Sequence, residues 1–146
     1  WTYSAAYVPP FRIAADGHGD IGARFADVTG DGLVDFIYYR WIDNKRQEKG
    51  AYINTGRGWR YDAQYIPPYQ IAADHYGDMG SRFVDVNGDG AADFVFNRYS
   101  ISGATYVGGY LSCGDSYGAS CTSRSSLCRS SPDVRKKCKK TCSCPS

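Results

Sequence analysis

The chain has 146 residues, of which 42% are apolar, so it can bury a core and is not disordered as a whole. No run approaches the ~20 apolar residues of a membrane-spanning helix. The net charge of +2 hides an asymmetry, because residues 1–111 carry 10 basic and 13 acidic side chains, whereas residues 112–146 carry 7 and 2. The first residue is Trp rather than Met, and we expect a secreted product whose targeting segment has been removed.

The acidic part of the chain is a tandem repeat. Residues 1–41 align with residues 59–99 at a constant shift of 58, with 23 identities in 41 positions and no gap. The copies then diverge, and we expect the second copy to be four residues shorter from there on. The predicted units are repeat 1 over residues 1–58, repeat 2 over residues 59–111 and a cysteine-rich module over residues 112–146.

Each repeat is predicted to form β-strands. The runs 23–28, 36–40 and 51–54 are short, rich in aromatic and β-branched residues, and bounded by Gly and Asp turns. Residues 65–71 are expected to follow an extended edge, since the prolines at 67–68 cannot donate to a ladder. The predicted fold class is mainly β, with two tandem antiparallel repeats and a small disulfide-rich, partly helical C-terminal module.

A nine-residue loop in each repeat carries the clearest chemical pattern. Oxygen-bearing side chains stand at positions 1, 3, 5 and 9, and glycine at position 6 permits a turn that directs the position 7 carbonyl inward. Calcium takes six to eight such oxygens, whereas zinc prefers His or Cys. We expect two Ca²⁺ ions per chain, and metal-free Asp/Gly turns are the alternative. The predicted ligands are Asp27, Thr29, Asp31, the Leu33 carbonyl and Asp35 in the first loop, and Asp85, Asn87, Asp89, the Ala91 carbonyl and Asp93 in the second.

Around these loops both repeats follow the pattern Gly-Asp-x-Gly-x-Arg-Phe-x-Asp-x-(Thr/Asn)-Gly-Asp-Gly-x-x-Asp-Phe. This pattern resembles the FG-GAP/VCBS-type repeats of extracellular proteins. The resemblance implies that each loop binds calcium and links two strands of a propeller-like blade. Such repeats normally close into propellers of several blades, whereas this chain has two. A homodimer would cover the exposed sheet edges.

All six cysteines lie in the basic tail. Their density and even number, and the absence of His beside them, favour disulfides over a zinc site, although six cysteines permit 15 pairings. The spacing resembles the ShKT module of secreted proteins and sea-anemone toxins, except that one residue rather than two separates the last two cysteines. The resemblance implies the pairs Cys113–Cys144, Cys121–Cys138 and Cys128–Cys142. The toxins' Lys-Tyr pair is missing between the third and fourth cysteines, so channel block is the lesser expectation.

A second acidic pattern precedes each calcium loop, because Asp16 and Asp20 return as Asp74 and Asp78. These carboxylates either cap turns and pair with nearby arginines, or adjoin an open calcium site and bind sugar hydroxyls beside an aromatic ring. The candidate sugar-binding residues are Asp16, His18, Asp20, Trp41, Asp74, Tyr76, Asp78 and Tyr99.

No catalytic pattern or nucleic-acid motif is present in the sequence, so we expect neither an enzyme nor a nucleic-acid partner. The calcium repeats together with the ShKT-like tail are similar to the calcium-dependent galactose-binding lectins of sea anemones. This resemblance implies a secreted, non-catalytic lectin for galactose-containing glycans on cell surfaces. The alternatives are a toxin or defence protein acting on channels or membranes, and an adhesion or matrix module that calcium stabilises.

Overall fold

The computed structural model describes residues 1–43 and 45–112. The six cysteines and their expected pairing lie outside the described residues. The described part is mainly β, with 46% of its residues in strands and 5% in helices, which confirms the predicted class. Among these residues, no helix has the length and apolar character needed to cross a membrane.

The strands of repeat 1 follow a short 3₁₀ helix at Ala5–Tyr7. They are β1 (Ala14–Ala15), β2 (Gly19–Asp20), β3 (Ala23–Ala26), β4 (Asp35–Asp43) and β5 (Arg46–Asn54). Repeat 2 has a 3₁₀ helix at Ala63–Tyr65 and the strands β6 (Trp59–Tyr61), β7 (Ala72–Ala73), β8 (Gly77–Asp78), β9 (Ser81–Val84), β10 (Asp93–Tyr99) and β11 (Thr105–Tyr110).

The predicted extended edge over residues 65–71 is wrong. Its first residue, Tyr65, ends a 3₁₀ helix, and the next strand begins only at Ala72. The helix forms because the Asp62 carboxylate accepts a hydrogen bond from the Gln64 backbone N–H at 3.1 Å and caps the turn. The prolines follow this helix and lie outside the strands, as their missing N–H groups require.

One sheet crosses the boundary between the repeats. One sheet has the order β6–β5–β4–β7–β8, with β3 also paired to β4, and a second has the order β11–β10–β9. Strand β7 of repeat 2 runs parallel to β4 of repeat 1, with Ala72 opposite Arg40. The other pairings among the described residues are antiparallel, so repeat 2 adds its first three strands to the sheet of repeat 1.

The two repeats keep their shift of 58 to the end of the described chain. Phe36 lies opposite Tyr52 in the β4–β5 hairpin, and Phe94 lies opposite Tyr110 in the β10–β11 hairpin. The predicted four-residue deletion is therefore wrong. Most side chains of the last strands have diverged, which concealed a register that the backbone retains.

A glycine faces an aromatic ring at the same place in both hairpins. A Cβ added to Gly50 would lie 2.7 Å from Cε1 of Tyr38, and one added to Gly108 would lie 2.6 Å from Cε1 of Phe96. Each ring lies over its neighbouring strand only because the side chain there is missing. The two glycines therefore mark equivalent positions in the hairpins.

The main core lies between the repeats. Repeat 1 contributes residues from its calcium loop, β4 and β5, and repeat 2 contributes residues from β10 and from the segment before β7. The buried members are Val28, Ile37, Tyr39, Ala51, Ile53, Tyr65, Ile71, Phe94 and Phe96. Because burial of apolar side chains is the main stabilising contribution, neither repeat has a complete core without the other.

Aromatic stacking ties each N-terminal segment to its own repeat. Phe11 stacks on Tyr38 with ring centroids 4.0 Å apart, and Tyr69 stacks on Phe96 at 4.4 Å. The equivalent rings thus make equivalent contacts. The stacking also restrains the residues next to Phe11 and Tyr69 in the sequence, and after Tyr69 these residues contact the neighbouring repeat.

Candidate calcium loops and the cleft between the hairpin turns

The first predicted calcium loop connects β3 to β4 and wraps around its first residue. The Asp27 carboxylate accepts hydrogen bonds from the backbone N–H groups of Gly30 at 2.7 Å and Gly32 at 2.8 Å. The Asp31 carboxylate accepts one from the Leu33 N–H at 2.8 Å. Gly32 has a φ of +87°, a conformation that glycine adopts without strain. The sharp turn predicted at position 6 is therefore present.

The second loop repeats this arrangement between β9 and β10. The Asp85 carboxylate accepts hydrogen bonds from Gly88 at 2.7 Å and Gly90 at 2.9 Å, and these donors hold its pKa below the ordinary range. Asp89 uses Oδ1 to accept a hydrogen bond from the Ala91 N–H at 2.8 Å. Its Oδ2 is shielded from solvent and has no hydrogen-bond partner among the described residues. A shielded carboxylate oxygen without a donor is costly, and a bound cation would remove that cost.

The position 9 aspartate of the first loop is fully buried. Its Oδ2 accepts a hydrogen bond from the Val28 N–H at 3.0 Å, and its Oδ1 accepts one from the Asn54 N–H at 2.8 Å. Burial, together with the charges of Asp27 and Asp31, raises the pKa of Asp35 to about 6 against the effect of these donors. The three carboxylates are thus close enough to repel one another.

The position 9 aspartate of the second loop has the same environment. Asp93 accepts hydrogen bonds from the backbone N–H groups of Val86 at 3.0 Å and Ser112 at 2.7 Å. Burial raises its pKa, and the charges of Asp89 and Asp85 add to that rise. Both loops therefore concentrate negative charge that the described residues do not neutralise.

The predicted ligands fit Ca²⁺ by their chemistry. Within residues 1–43 and 45–112, no three His, Cys, Asp or Glu side chains meet in a group that could hold a metal by themselves. The predicted set also draws on a threonine hydroxyl or asparagine amide and on a main-chain carbonyl. Asp35 and Asp93 accept hydrogen bonds from backbone N–H groups, yet an ionised carboxylate has about four acceptor sites and retains some for a cation. An all-oxygen set of this kind suits calcium.

The two loops contact each other across the boundary between the repeats. The Ala92 N–H donates a hydrogen bond of 2.7 Å to the Asp27 carbonyl oxygen. A Cβ added to Gly30 would lie 3.3 Å from the Cβ of Ala91. A cation in either loop would therefore stabilise the contact between the repeats as well as the loop itself.

A cleft of about 430 Å³ lies where the β1–β2 turn meets the β7–β8 turn, which are equivalent parts of the two repeats. Its size falls within the range of small-molecule sites. His75 has a φ of +71° and is the one non-glycine residue with positive φ in the described part of the chain. Its equivalent in repeat 1 is Gly17, which has nearly the same φ of +76°. The lining residues are Gly17, His18, Gly19, Asp74, His75 and Gly77.

An ion pair with a histidine beside it lies at one side of the cleft. Arg40 donates from Nε to Oδ1 of Asp74 at 2.6 Å and from Nη2 to Oδ2 at 2.8 Å. Nη2 also lies 2.9 Å from Nδ1 of His18, and since a guanidinium only donates, Nδ1 is the acceptor. The hydrogen bonds from Arg40 hold the pKa of Asp74 below its ordinary range, so this carboxylate remains ionised.

The other two acidic residues of the pattern pair with arginines. Asp20 contacts Arg24 at 2.5 Å, and Asp78 contacts Arg82 at 2.7 Å. Each carboxylate also accepts a hydrogen bond at 2.8 Å from a backbone N–H two residues ahead. The arginines hold the pKa values of both carboxyls below the ordinary range. These contacts match the first predicted role, turn capping with arginine pairing, and sugar binding by these carboxylates stays a prediction.

The expectation that this acidic pattern adjoins the calcium loops is wrong. Asp35 begins β4, whereas Arg40, which holds Asp74, lies five residues further along the same strand. Five residues of strand span roughly 16 Å. The cleft and the loops therefore lie at opposite ends of β4, because the hairpin turns and the loops extend from opposite ends of the sheet.

The structure brings together only some of the candidate sugar-binding residues. His18 and Asp74 line the cleft, and the ring of Tyr76 lies under the Arg98 guanidinium at 5.3 Å. Trp41 and Tyr99 lie at equivalent ends of β4 and β10, outside the cleft lining, and Asp16 is exposed. Sequence reasoning missed Arg40 and His75, since the contacts that bring them to the cleft join residues of different repeats.

No protein-family model matches the chain, and no curated protein or solved structure matches it either. The loops and the cleft are therefore the features from which function is inferred.

Proposed function

We propose that the protein is a secreted, calcium-dependent, non-catalytic lectin that binds the terminal galactose of cell-surface glycans through two propeller-blade-like β repeats. The observation that carries the proposal is the pair of all-oxygen loops, in the second of which a shielded oxygen of Asp89 has no hydrogen-bond donor among the described residues. When bound, calcium supplies coordination positions that two neighbouring sugar hydroxyls can fill in place of water.

The surroundings of the loops suit a sugar. Asp31 is exposed, as are Asp85 and Asn87, so a ligand can reach these side chains from solvent. Leu33 and Val86 are exposed beside them and provide apolar surface for the less polar face of a galactose ring. The loops thus combine hydroxyl-binding oxygens with a hydrophobic contact.

The cleft is a second position at which a monosaccharide would fit by volume. Its polar groups are His18, His75 and the ionised Asp74, and two of Asp74's acceptor sites are already used by Arg40. Because the cleft is remote from the loops, sugar binding there would not require calcium. Calcium dependence therefore decides between the two positions.

The experiment is titration of galactose and lactose into the full chain by calorimetry, with calcium and with excess chelator. Asp31→Asn combined with Asp89→Asn tests the loops, and His18→Ala tests the cleft. The matched control is Asp43→Asn, which changes an exposed carboxylate that is paired with Arg46 and belongs neither to the loops nor to the cleft lining. We expect the loop variant to lose at least tenfold in calcium and galactose affinity, while His18→Ala and the control keep both. Galactose binding that persists in chelator would overturn the proposed mechanism.

A second candidate function is an adhesion or matrix module in which calcium is structural. The contact between the loops favours it, because the Ala92 N–H of one repeat binds the Asp27 carbonyl of the other. This candidate predicts that calcium raises the melting temperature while no saccharide binds in the same titrations. The alternative of action on channels or membranes concerns the cysteine module, and no described residue supports it.

A further inference from the structure

Repeat 2 contacts repeat 1 through the Ile-Ala-Ala-Asp segment at residues 71–74, which contains β7. Ile71 donates its backbone N–H to the Tyr39 carbonyl at 3.0 Å, and Asp74 donates its own to the Trp41 carbonyl at 2.8 Å. The Asp74 carboxylate then binds Arg40 at 2.6 Å. Backbone pairing and an ion pair therefore fix this segment to one edge of β4.

Repeat 1 contains the same Ile-Ala-Ala-Asp segment at residues 13–16, but in the described chain this segment pairs with no strand of another repeat. Ile13 is 50% exposed, whereas its equivalent Ile71 is 0% exposed. Asp16 is exposed and makes no hydrogen bond or ion pair with a described residue, whereas its equivalent Asp74 is bound to arginine. One end of the molecule thus presents a docking segment without its receiving strand.

The opposite end presents the receiving strand without a docking segment. Strand β9 pairs with β10 only as far as Phe96, so the next residues of β10 have no neighbouring strand on that side in the described chain. Arg98, the equivalent of Arg40, contacts the Tyr76 ring but no described carboxylate. Tyr99, the equivalent of Trp41, is exposed.

The apolar surfaces at the two ends also correspond. Val28 is 0% exposed in the core between the repeats, but its equivalent Val86 is 56% exposed. On the opposite side of that core, Tyr65 is 4% exposed, whereas its equivalent Tyr7 is 43% exposed. Each side of the internal interface is therefore present once more, and no described residue covers it there.

The first residues of the chain are also exposed and outside any strand, whereas their equivalents in repeat 2 form β6. Strand β6 covers the outer edge of β5 and leaves Trp59 half-buried, whereas its equivalent Trp1 is exposed; Tyr61 and its equivalent Tyr3 are both exposed. Strand β11, the equivalent of β5, is an edge strand among the described residues. An uncovered edge is a template for pairing with another chain.

From these matches we infer that a second copy of this chain docks head to tail, placing its Ile13–Asp16 segment against Asn97–Tyr99 and its Asp16 carboxylate on Arg98. A second copy is the occupant that fits, because the same sequence contains both halves of an interface that already forms inside the chain. The contact is heterologous, since one end of a protomer binds the other end of its partner. It does not depend on calcium or on the proposed sugar binding.

The test is the mass of the full chain by sedimentation equilibrium for four proteins: the wild type, Arg98→Glu, Asp16→Arg and the double variant. The wild type is expected to associate, and each single charge reversal should raise the dissociation constant at least about 100-fold, since like charges then face each other. The double variant restores opposite charges and should return to within about tenfold of the wild type. Arg60→Glu, on an exposed arginine outside the proposed contact, is the matched control and should associate normally.

Because Arg98 and Asp16 have no charged partner within the described chain, the variants should keep the wild-type circular dichroism spectrum and can be compared directly. Two results would overturn the inference. One is a wild type that stays monomeric at its highest soluble concentration. The other is association that neither single variant weakens.

Discussion

Arg40 of repeat 1 holds Asp74 of repeat 2 in a two-point ion pair, with Nε 2.6 Å from Oδ1 and Nη2 2.8 Å from Oδ2. The arginine side chain is only 4% exposed. Each charge has been removed from most of its water and depends on the other for compensation. This pair, with the core between the repeats, makes the two repeats one folding unit.

Breaking this pair should be strongly destabilising. Arg40→Gln leaves the Asp74 carboxylate poorly hydrated and without its guanidinium, and we expect the free energy of unfolding to fall by about 3 kcal/mol. Urea denaturation followed by circular dichroism measures the change. Arg46→Gln is the matched control, because its pair with Asp43 is exposed, and it should cost less than about 1 kcal/mol. Equal losses in the two variants would contradict the importance of burial here.

The same pair should make stability depend on acid. Arg40 lowers the folded-state pKa of Asp74 below its ordinary value of 3.8, so the folded state binds this proton more weakly than the unfolded state does. The contribution is complete above the ordinary pKa and is lost as pH falls through the lowered value. Chelated wild type should therefore lose more stability below pH ~4 than Asp74→Asn, in urea titrations at matched ionic strength. Parallel curves for the two proteins would refute the assignment.

Alanine substitutions at Gly17 and Gly22 distinguish the cost of a left-handed backbone from the cost of a steric clash. Gly22 and Gly17 both have positive φ, at +73° and +76°, but a Cβ on Gly22 would lie 2.5 Å from the Tyr39 carbonyl oxygen, whereas one on Gly17 meets nothing within 4 Å. Gly17→Ala should cost about 1 kcal/mol for the left-handed conformation alone. Gly22→Ala should cost at least about 2 kcal/mol more, because the strand edge must move. Thermal melts compare them, and equal costs would be inconsistent with the close approach.

Calcium should stabilise the fold. Extracellular calcium modules bind with dissociation constants of about 10⁻⁴–10⁻³ M, and calcium at ten times that value adds about 1.4 kcal/mol per site. Asp31→Ala removes a ligand of the first loop, so it should abolish one contribution and leave the other. Melting temperatures with calcium, with magnesium and with chelator provide the measurement. A melting temperature that calcium leaves unchanged would show that the loops are not metal sites coupled to folding.

The parts of the fold that local sequence encodes were predictable. The repeat can be read directly from the sequence, and the strands β3, β4 and β5 and the turn at Gly32 follow from patterns within about ten residues of each other. The hydrogen bonds around Asp27 need only its own loop, so the site geometry there could be expected from spacing. The mainly β class was confirmed for the same reason.

The contacts between repeats were not predictable from the pattern. Arg40 and Asp74 are 34 positions apart, and neither residue has a neighbour in the sequence that marks it as half of a pair. Both residues have equivalents in the other repeat, Arg98 and Asp16, yet within the described chain only Arg40 and Asp74 pair. The position of Asp74 depends on this choice, which is why the sequence did not reveal that it lies far from the predicted calcium loops.

The cleft is built from two copies of one turn that have since acquired different side chains. Gly17 and its equivalent His75, which keeps the glycine-like φ of +71°, both line the cleft, and of the next pair of equivalents His18 lines it whereas Tyr76 does not. Its two walls are therefore related in backbone but distinct in hydrogen-bonding groups. A molecule entering between them meets a polarised slot, and its two faces would be told apart even if the molecule itself were symmetric.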